Sequence, residues 1–336
     1  MFSTETLAFL QEYTKDQSLY RSLASDLERF VEDRLADHVY DVHMVTARAK
    51  SPESLRTKLL GGKYPEPAKQ IQDLIGVRII TYYSEQVDRI ASRLRDGMTV
   101  DEENSRDRRD ALARDSRFGY RSVHLVGKVS RKSNSTFPSL RNRTFEVQVR
   151  SVLDHAWAEI EHEIVYKSGS EIPAGIRRRF SAVAGAFEII ENEFLRLRID
   201  ANSIVDDYCQ SYARGQGKRV PFDAFRLMAA LEVMQPEAKG WRQATKTGAP
   251  FGVAPVTMVA ALAAVGVEDW SKLASVLRGK KCKTQIESYA SLIGSTVEEV
   301  SHLAYAALVV AHKNYEVLKQ FVPDFGTTPE MVATFQ

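Results

Sequence analysis

The sequence has little of what exported and membrane-spanning proteins need. It contains two cysteines in 336 residues, Cys209 and Cys282, and they offer neither a disulfide framework nor a metal-binding spacing. No apolar run approaches the ~18 residues that suggest a membrane helix. The first residues, MFSTETLAFLQEYTKDQ, carry acids where a signal peptide has Lys or Arg. We therefore expect a cytoplasmic protein with no membrane partner.

Common motifs for phosphate, acyl and zinc chemistry are also missing. There is no Walker A loop, no GxSxG turn and no GxGxxG fingerprint. His155 and His162 are seven residues apart, without an HExxH pattern or a third ligand at a recognisable spacing, so no zinc site is predicted. An enzyme with this sequence must bind its substrate in another way.

Positive charge is concentrated in one part of the chain. The formal net charge is only +2, but residues 101–150 hold 12 Lys or Arg against 7 Asp or Glu. Such a segment can bind phosphate or nucleic acid. It can equally be a solvated loop, because acids are interleaved with the basic residues. Six arginines lie within sixteen residues: Arg106, Arg108, Arg109, Arg114, Arg117 and Arg121.

The apolar patterns predict an α+β domain with a mixed β-sheet flanked by helices, followed by an all-α domain. Strand signals stop after about residue 203. The segment RGQGKRVPF (214–222) is typical of a linker, and TGAPFGVAPV (247–256) is typical of a loop. We expect domains over 1–205 and 215–336, the second a helical bundle. In the first domain we expect helices within 4–46 and over 52–60, a strand over 74–83, a helix over 85–96, strands over 120–129 and 144–150, and helices over 152–167 and 175–200.

A helix-turn-helix is an alternative interpretation of one part of the second domain. Ala290, Gly294 and Val300 have the spacing of that DNA-binding motif. The helix that would read the groove continues into SHLAYAALVV, which is too apolar for that role. Bundle packing is therefore favoured, and we expect no DNA partner.

The segment FEVQVR (145–150) alternates apolar and polar residues. Glu146, Gln148 and Arg150 share one face of the predicted strand. The carboxylate could hold a metal or take a proton, and the guanidinium suits a phosphate; a solvated edge strand is the alternative. In the helix that follows, Trp157, Ile160 and Ile164 form the predicted packing face.

Two other strands carry polar residues at unusual positions. Asp73 lies at the start of the strand over 74–83, and Arg78 lies within it, where burial requires an anionic or aromatic partner. A structural ion pair between Arg78 and Asp73 is the alternative. Tyr120, Ser122 and His124 share a face of a second strand, and the tyrosine could stack on a base.

The segment ARAKSPESLRTKL (47–59) contains Arg48, Lys50, Ser54 and Lys58. Ser54 and Lys58 are four residues apart at the start of a helix capped by Ser51, where amide groups favour anions. The alternative is an ordinary capped surface helix.

Four segments, in this order, resemble the synthetase domain of the RelA/SpoT family, the pyrophosphokinases that make guanosine alarmones. They are ARAKSPESLRTKL, YPEPAKQIQDLIGVRIITYY, GYRSVHLV and FEVQVRSVLDHAWAEIEHEIVYK. The resemblance covers roughly residues 10–200. It implies a nucleotidyltransferase-like fold and transfer of the β,γ-pyrophosphate of ATP to a ribose 3′-hydroxyl of GDP or GTP, with Mg²⁺ as cofactor.

The resemblance also implies a role for each matching residue. Asp73 and Glu146 would be catalytic and would hold Mg²⁺, with Glu146 also the base toward the hydroxyl. Arg150 would orient other groups. The ATP-binding residues would be Arg48, Lys50, Ser54, Lys58 and Arg78, and the acceptor-binding residues Tyr120, His124, Gln148 and His155.

Two questions stay open at this level. No His-Asp hydrolase pattern precedes the synthetase segments, so we expect synthesis without hydrolysis by a small stand-alone enzyme. Some toxic members of the family instead transfer pyrophosphate to the 3′ end of tRNA and inhibit translation. In such a protein, a fused C-terminal domain could act as an antitoxin or as a sensor of phage. The motifs do not separate the two acceptors, and they do not give the oligomeric state.

Overall fold

The structure is a computed structural model that describes most of the chain: residues 2–36, 40, 42–107, 122–130, 136–168, 173–236, 254–294, 296–297, 300–323 and 333–334. Residue contacts divide the chain into two compact units, Met1–Leu195 and Arg196–Gln336. The division falls within one helix, Ala174–Ala213. The domain limits 1–205 and 215–336 stay a prediction.

The first unit combines helices with one six-stranded sheet. Its described helices are α1 (Thr4–Lys15), α2 (Gln17–Ala36), α3 (Pro52–Leu60), α4 (Pro67–Gln70), α5 (Glu85–Arg95), α6 (Val152–Ser168) and the start of α7 (Ala174–Ala213), with a 3₁₀ turn at Pro138–Leu140. The strands are β1 (Val42–Ala49), β2 (Ile75–Thr81), β3 (Met98–Val100), β4 (Arg106–Asp107), β5 (Val123–Val129) and β6 (Phe145–Ser151).

The sheet is mixed, as predicted. The strand order is β1-β2-β6-β5-β3, and β4 pairs with β5. Strands β2 and β6 are parallel, whereas the other pairs are antiparallel. A parallel pair needs a long crossover, and here the chain between β2 and β6 includes α5 and three further strands.

Alternation along β6 sends one set of side chains into the core. Phe145, Val147 and Val149 are fully buried and pack in a cluster with residues of α2, α5, β2 and β5. The predicted apolar face of this strand is therefore confirmed. Its opposite face carries the polar residues.

The first strand departs from the prediction. The helical pattern expected within 4–46 ends at Ala36 in the described residues, and Val42–Ala49 is a strand. The segment VHMVTARA contains β-branched residues and alternates, so that Val45, Ala47 and Ala49 pack against the core cluster. Pairing with the buried strand β2 outweighs the helical spacing that precedes it.

Helix α6 also departs from the prediction in part. Trp157 is buried, and its Nε1 donates to the Phe180 carbonyl at 3.2 Å. Ile160 and Ile164, however, are 53% and 46% exposed. Of the three residues of the predicted packing face, Trp157 alone is buried.

The second unit is helical over its described residues, as expected. Its further helices are α8 (Ala224–Met234), α9 (Pro255–Ala264), α10 (Trp270–Leu277), α11 (Lys280–Leu292), α12 (His302–Lys313) and α13 (Tyr315–Phe321). Helix α12 lies in the core, with Ala304 through Ala311 buried. It therefore cannot present a groove-reading face, and the helix-turn-helix interpretation has no structural support. None of the described helices is long and apolar enough to cross a membrane.

Candidate active site

Strand register places predicted site residues side by side on the polar face of the sheet. Arg48 on β1 lies opposite Gly76 on β2, and Gly76 lies opposite Glu146 on β6. In the next row, Arg78 lies opposite Gln148. Because Gly76 has no side chain, the sheet surface between the arginine and the carboxylate is open to a ligand.

These residues line a cavity of about 180 Å³ on that face. It contains both predicted metal-binding carboxylates and both predicted ATP-binding arginines. The cavity is therefore lined by residues of three strands, β1, β2 and β6, and by Asp73 from the segment before β2. The lining residues are Met44, Thr46, Arg48, Asp73, Gly76, Val77, Arg78, Glu146 and Gln148.

Asp73 is held between two lysines. Its carboxylate oxygens lie 2.8 Å from Lys50 Nζ and 2.9 Å from Lys58 Nζ. Burial would raise the pKa of Asp73, but these two cations outweigh it and hold the pKa below its ordinary value. Burial would lower the pKa of Lys58, but the hydrogen bond and the charge of Asp73 outweigh it and raise the pKa of this lysine above its ordinary value. Asp73 and Lys58 are therefore both charged at neutral pH.

A tyrosine that the sequence did not single out fixes the backbone of this cluster. The Tyr13 hydroxyl lies 2.7 Å from the Lys50 carbonyl and 3.2 Å from the Leu74 carbonyl and donates to them. The Lys50 amide also donates to the Leu74 carbonyl at 2.9 Å. Helix α1 thus ties the ends of β1 and β2 together next to Asp73. An aromatic residue within an amphipathic helix gives no sequence signal for this role.

Glu146 has different partners. Its oxygens lie 2.7 Å from His124 Nδ1 and 3.0 Å from Gln148 Nε2. Burial would raise the pKa of Glu146, but the hydrogen bonds from these two side chains outweigh it and lower the pKa below its ordinary value. An ionised carboxylate only accepts hydrogen bonds, so Nδ1 of His124 carries the proton. The structure thus brings His124, Gln148 and Glu146 together.

Glu159 on α6 joins three other predicted residues, and sequence analysis missed it. Its Oε1 atom lies 2.9 Å from Arg78 Nη1, 3.5 Å from His155 Nδ1 and 3.7 Å from Arg150 Nη2. The anionic partner of Arg78 is therefore Glu159, and the proposed pair between Arg78 and Asp73 is wrong. The four-residue spacing from His155 to Glu159 was the available signal.

His155 lies in a positive environment despite this carboxylate. Burial, followed by the charges of Arg150 and Arg78, lowers the pKa of His155, while Glu159 opposes the shift. The imidazole is therefore mainly neutral at pH 7. Arg150 itself is buried, and its orienting role stays a prediction.

The remaining predicted residues divide into two groups. Ser54 lies at the amino end of α3, where its amide donates to the Ser51 hydroxyl at 3.1 Å. The predicted cap is confirmed, but Ser54 does not line the cavity. Tyr120 lies outside the described residues, and so does the arginine cluster after Arg106, namely Arg108, Arg109, Arg114, Arg117 and Arg121.

A larger cavity, of about 800 Å³, lies beside α1 and α2 and near the starts of β2 and β6. Tyr13, Tyr20, Lys128 and Arg143 are among its lining residues. It shares no lining residue with the smaller cavity. The paired carboxylates and arginines identify the smaller cavity as the candidate active site.

Comparison with known proteins gives a consistent result for the first unit. Residues 47–171 match the family described as "Region found in RelA / SpoT proteins". A Bacillus subtilis (strain 168) protein named GTP pyrophosphokinase YjbM is 28% identical over 160 residues, which is 47% of this chain and 72% of that protein. The similarly named YwaC of the same organism is 24% identical over 160 residues, or 45% and 71% of the two chains.

Two solved structures are also similar to this chain. The crystal structure of the small alarmone synthetase 1 from Bacillus subtilis is 23% identical, and the match covers 57% of this chain and 99% of that chain with a TM-score of 0.45. The structure of the same synthetase bound to its product pppGpp has a TM-score of 0.46 at 23% identity, and the match covers 56% of this chain and 98% of that chain.

Proposed function

Because residues 47–171 form a RelA/SpoT domain, we propose that the chain transfers the β,γ-pyrophosphate of ATP to the ribose 3′-hydroxyl of GDP or GTP. The curated relatives are named GTP pyrophosphokinases, and the chain is a transferase of this class. The observation that carries the proposal is the single cavity lined by Asp73, Glu146, Arg48 and Arg78. Its products would be AMP and a guanosine alarmone.

The cation-rich side of the cavity suits the donor nucleotide. In this proposal Arg48 and Arg78 take the adenine between them, as planar guanidinium groups can stack on aromatic rings. Lys50 and Lys58, which now hold Asp73, turn to the phosphates of ATP. Fixed positive charges around a transferring phosphoryl group stabilise its transition state.

The chemistry of Asp73 and Glu146 fits a divalent cation. Both carboxylates line the same cavity, and both have a pKa below its ordinary value. Among the described residues, no group of three or more His, Cys, Asp or Glu could hold a metal by itself. Mg²⁺ typically takes one or two carboxylates and completes its shell with water and substrate phosphates. When bound, it would neutralise charge on the phosphate oxygens.

Glu146 is the proposed proton acceptor. The acceptor 3′-oxygen attacks the β-phosphorus of ATP, and the bond from that phosphorus to the α,β-bridging oxygen breaks, so that AMP leaves. The proton of the 3′-hydroxyl passes to Glu146. His124 and Gln148 hold the carboxylate in one orientation, which keeps an oxygen directed at the hydroxyl. His155, in the first turn of α6, would contact the acceptor, and Tyr120 would stack on the acceptor base.

The acceptor is tested by transfer of label. Purified protein is incubated with γ-labelled ATP and Mg²⁺ in separate reactions with GDP, GTP and deacylated tRNA. We expect label in the guanine nucleotides, with release of AMP. Label only in tRNA would contradict the proposed acceptor while retaining the pyrophosphokinase chemistry, and label in none of the three would contradict both. Neither the comparisons nor the described residues add support for tRNA.

A matched pair of variants ties the reaction to the cavity. Glu146→Gln should lower the rate of transfer by about 10²–10⁴-fold, because the amide cannot accept the proton. Glu5→Gln makes the same chemical change at an exposed position in the first turn of α1 and should leave transfer unchanged. Full activity of Glu146→Gln would refute the assignment of the base.

A further inference from the structure

The larger cavity, of about 800 Å³, has no part in the proposed transfer reaction. Its volume lies in the range of cavities that bind small molecules, which is roughly 300–1,000 Å³. All of its lining residues lie between Phe9 and Thr144, so the cavity belongs to the first unit alone. It is therefore a candidate for a second binding site in the same unit as the candidate active site.

The inner wall of this cavity is apolar and aromatic. Leu23, Ile71 and Ile75 line it and are buried. Beside them, the ring centroids of Tyr13 and Tyr20 lie 4.4 Å apart. Apolar and aromatic surfaces of a ligand gain free energy when they leave water for such a wall. The wall therefore suits a ligand that contains a flat ring.

Two exposed cations, which we name the rim cations, lie at the opening of the cavity: Lys128 in β5 and Arg143 just before β6. Gly127 lies opposite Phe145 in the sheet, so both cations are next to the same end of this strand pair. Burial raises the pKa of Tyr20, and the charge of Arg143 opposes this shift, which places the guanidinium near the phenol. Within the described part of the chain, neither rim cation forms an ion pair with a carboxylate. They can therefore bind an anionic group attached to the ring.

The other charges of the cavity limit how much negative charge a ligand can carry. Glu12 and Asp101 also line it. Hydrogen bonds from the side chain and the amide of Asn104 hold the pKa of Asp101 below its ordinary value, so this carboxylate is charged at neutral pH. The third lining cation, Lys69, lies with its Nζ 2.7 Å from a carboxylate oxygen of Glu66. Because a polyphosphate would meet two carboxylates there, the charges favour a ligand with a single negative charge.

Tyr13 connects this cavity to the candidate active site. It lines the cavity, while its hydroxyl donates to the carbonyls of Lys50 and Leu74 at 2.7 and 3.2 Å. Leu74 also lines the cavity and directly follows Asp73 in the chain. A ligand that packs against Tyr13 therefore contacts the group that fixes the backbone of Lys50 and Asp73.

We propose that the larger cavity binds a ring-bearing monoanion, such as an aromatic carboxylate, with its ring against Tyr13 and Tyr20 and its anionic group beside the rim cations. Binding restricts the Tyr13 ring, holds its hydroxyl on the two carbonyls and so strengthens the binding of ATP. Because coupling between two binding sites is reciprocal, ATP strengthens the binding of the monoanion by the same factor. The site does not depend on the proposed function, whereas its coupling to ATP rests on it.

Fluorescence titration of the full chain with 8-anilinonaphthalene-1-sulfonate tests the site. This probe carries aromatic rings and one sulfonate, and its emission rises in apolar surroundings. We expect saturable binding, and Lys128→Glu and Arg143→Glu should each weaken it by about tenfold, because each replaces attraction by repulsion. Arg141→Glu is the matched control: Arg141 is exposed but does not line the cavity, so binding should not change. Circular dichroism checks that the three variants stay folded, and probe bound to any other apolar surface gives the same signal in all three.

Calorimetric titration with a non-transferable ATP analogue, in which a methylene group replaces the α,β-bridging oxygen, tests the coupling. Saturating probe should raise the affinity for the analogue by about fivefold. Tyr13→Phe keeps the ring and removes the hydroxyl, so it should bind the probe as the natural chain does but show no coupling. No transfer occurs in this measurement, so its result does not depend on the identity of the acceptor.

Each part of the proposal has a result that would overturn it. The site is overturned if the probe does not saturate, or if Arg141→Glu and Arg143→Glu weaken binding equally. The ligand class is overturned if GTP displaces the probe, because the cavity would then accept a polyphosphate. The coupling is overturned if the probe leaves the affinity for the analogue unchanged, or if the effect persists in Tyr13→Phe. Failure of the analogue to bind at all would contradict the proposed function, while the probe titrations would still decide the site.

Discussion

Asp73 and Glu146 line one cavity but are held in different ways. Asp73 is paired with two lysines, which are long, flexible and cationic. Glu146 is held by His124, on the neighbouring strand β5, and by Gln148, on its own strand β6. The first carboxylate can exchange its partners when an anionic ligand enters, whereas the second keeps a fixed orientation. The difference suits one group to bind and release charge and the other to accept a proton.

The largest expected effect separates these two roles by their response to magnesium. Glu146→Gln should lower kcat by about 10²–10⁴-fold at every Mg²⁺ concentration, because added cation can offset a lost ligand but cannot replace the proton acceptor. Asp73→Asn should lower activity at low Mg²⁺ and recover in part at high Mg²⁺, because one charged ligand to the cation is lost. Steady-state kinetics across a magnesium titration measures both. The division of roles would be contradicted if high Mg²⁺ restored the activity of Glu146→Gln, or if it failed to restore any activity of Asp73→Asn.

A smaller effect is expected at Glu159, which lies outside the cavity. Glu159→Gln removes the negative charge that links Arg78, Arg150 and His155, so the KM for ATP should rise several-fold with a smaller change in kcat. The same change should lower the pKa of His155 further, since Glu159 is the group that raises it. NMR titration of the imidazole measures this shift. An unchanged His155 pKa would show that the carboxylate does not act on the imidazole.

The smallest effect concerns stability and pH. The pKa of Asp73 is lowered in the folded chain, so its contribution is present above the unfolded value near 4 and is lost as the pH falls through the folded value. The pKa of Lys58 is raised, so its contribution is present below the unfolded value near 10 and is lost as the pH rises through the folded value. Asp73→Asn should therefore lower the free energy of unfolding by about 1 kcal/mol or less at pH 7.

Denaturant unfolding at pH 7 and at pH 3 measures the difference in the free energy of unfolding between the natural chain and Asp73→Asn. At pH 3, which is below the unfolded value near 4, the gap between the natural chain and Asp73→Asn should be narrower, because the unfolded carboxyl then binds a proton more readily than the folded one. An equal gap at both values would contradict an electrostatic origin. Circular dichroism at each pH identifies any loss of secondary structure before denaturant is added.

The sequence was sufficient for those parts of the site that depend on alternation within a strand. Phe145, Val147 and Val149 indicated the buried face of β6, and Glu146 and Gln148 followed on the opposite face. The cap at Ser51 was equally local. In each case the deciding interactions lie within a few residues of one another, so a pattern along the chain is enough.

Features that depend on distant partners were not predictable in this way. Strand β1 was missed because it follows a strong helical pattern, and only pairing with β2 decides its conformation. Glu159 was missed because a glutamate among other acids on a helix is usually solvated. Its contact with Arg78 depends on where α6 lies against β2, which no local pattern reports.

The parallel pairing of β2 and β6 has a consequence for how the protein is made. The two strands are adjacent in the sheet but are joined through residues 82–144, so the chain must close a long loop before Asp73 and Glu146 can share a cavity. Loop closure of this kind costs conformational entropy and slows folding. During synthesis, β2 and β1 can leave the ribosome long before β6 exists. A nascent or prematurely terminated chain therefore has no assembled site, and the candidate cavity forms only when the last strand takes its place in the sheet.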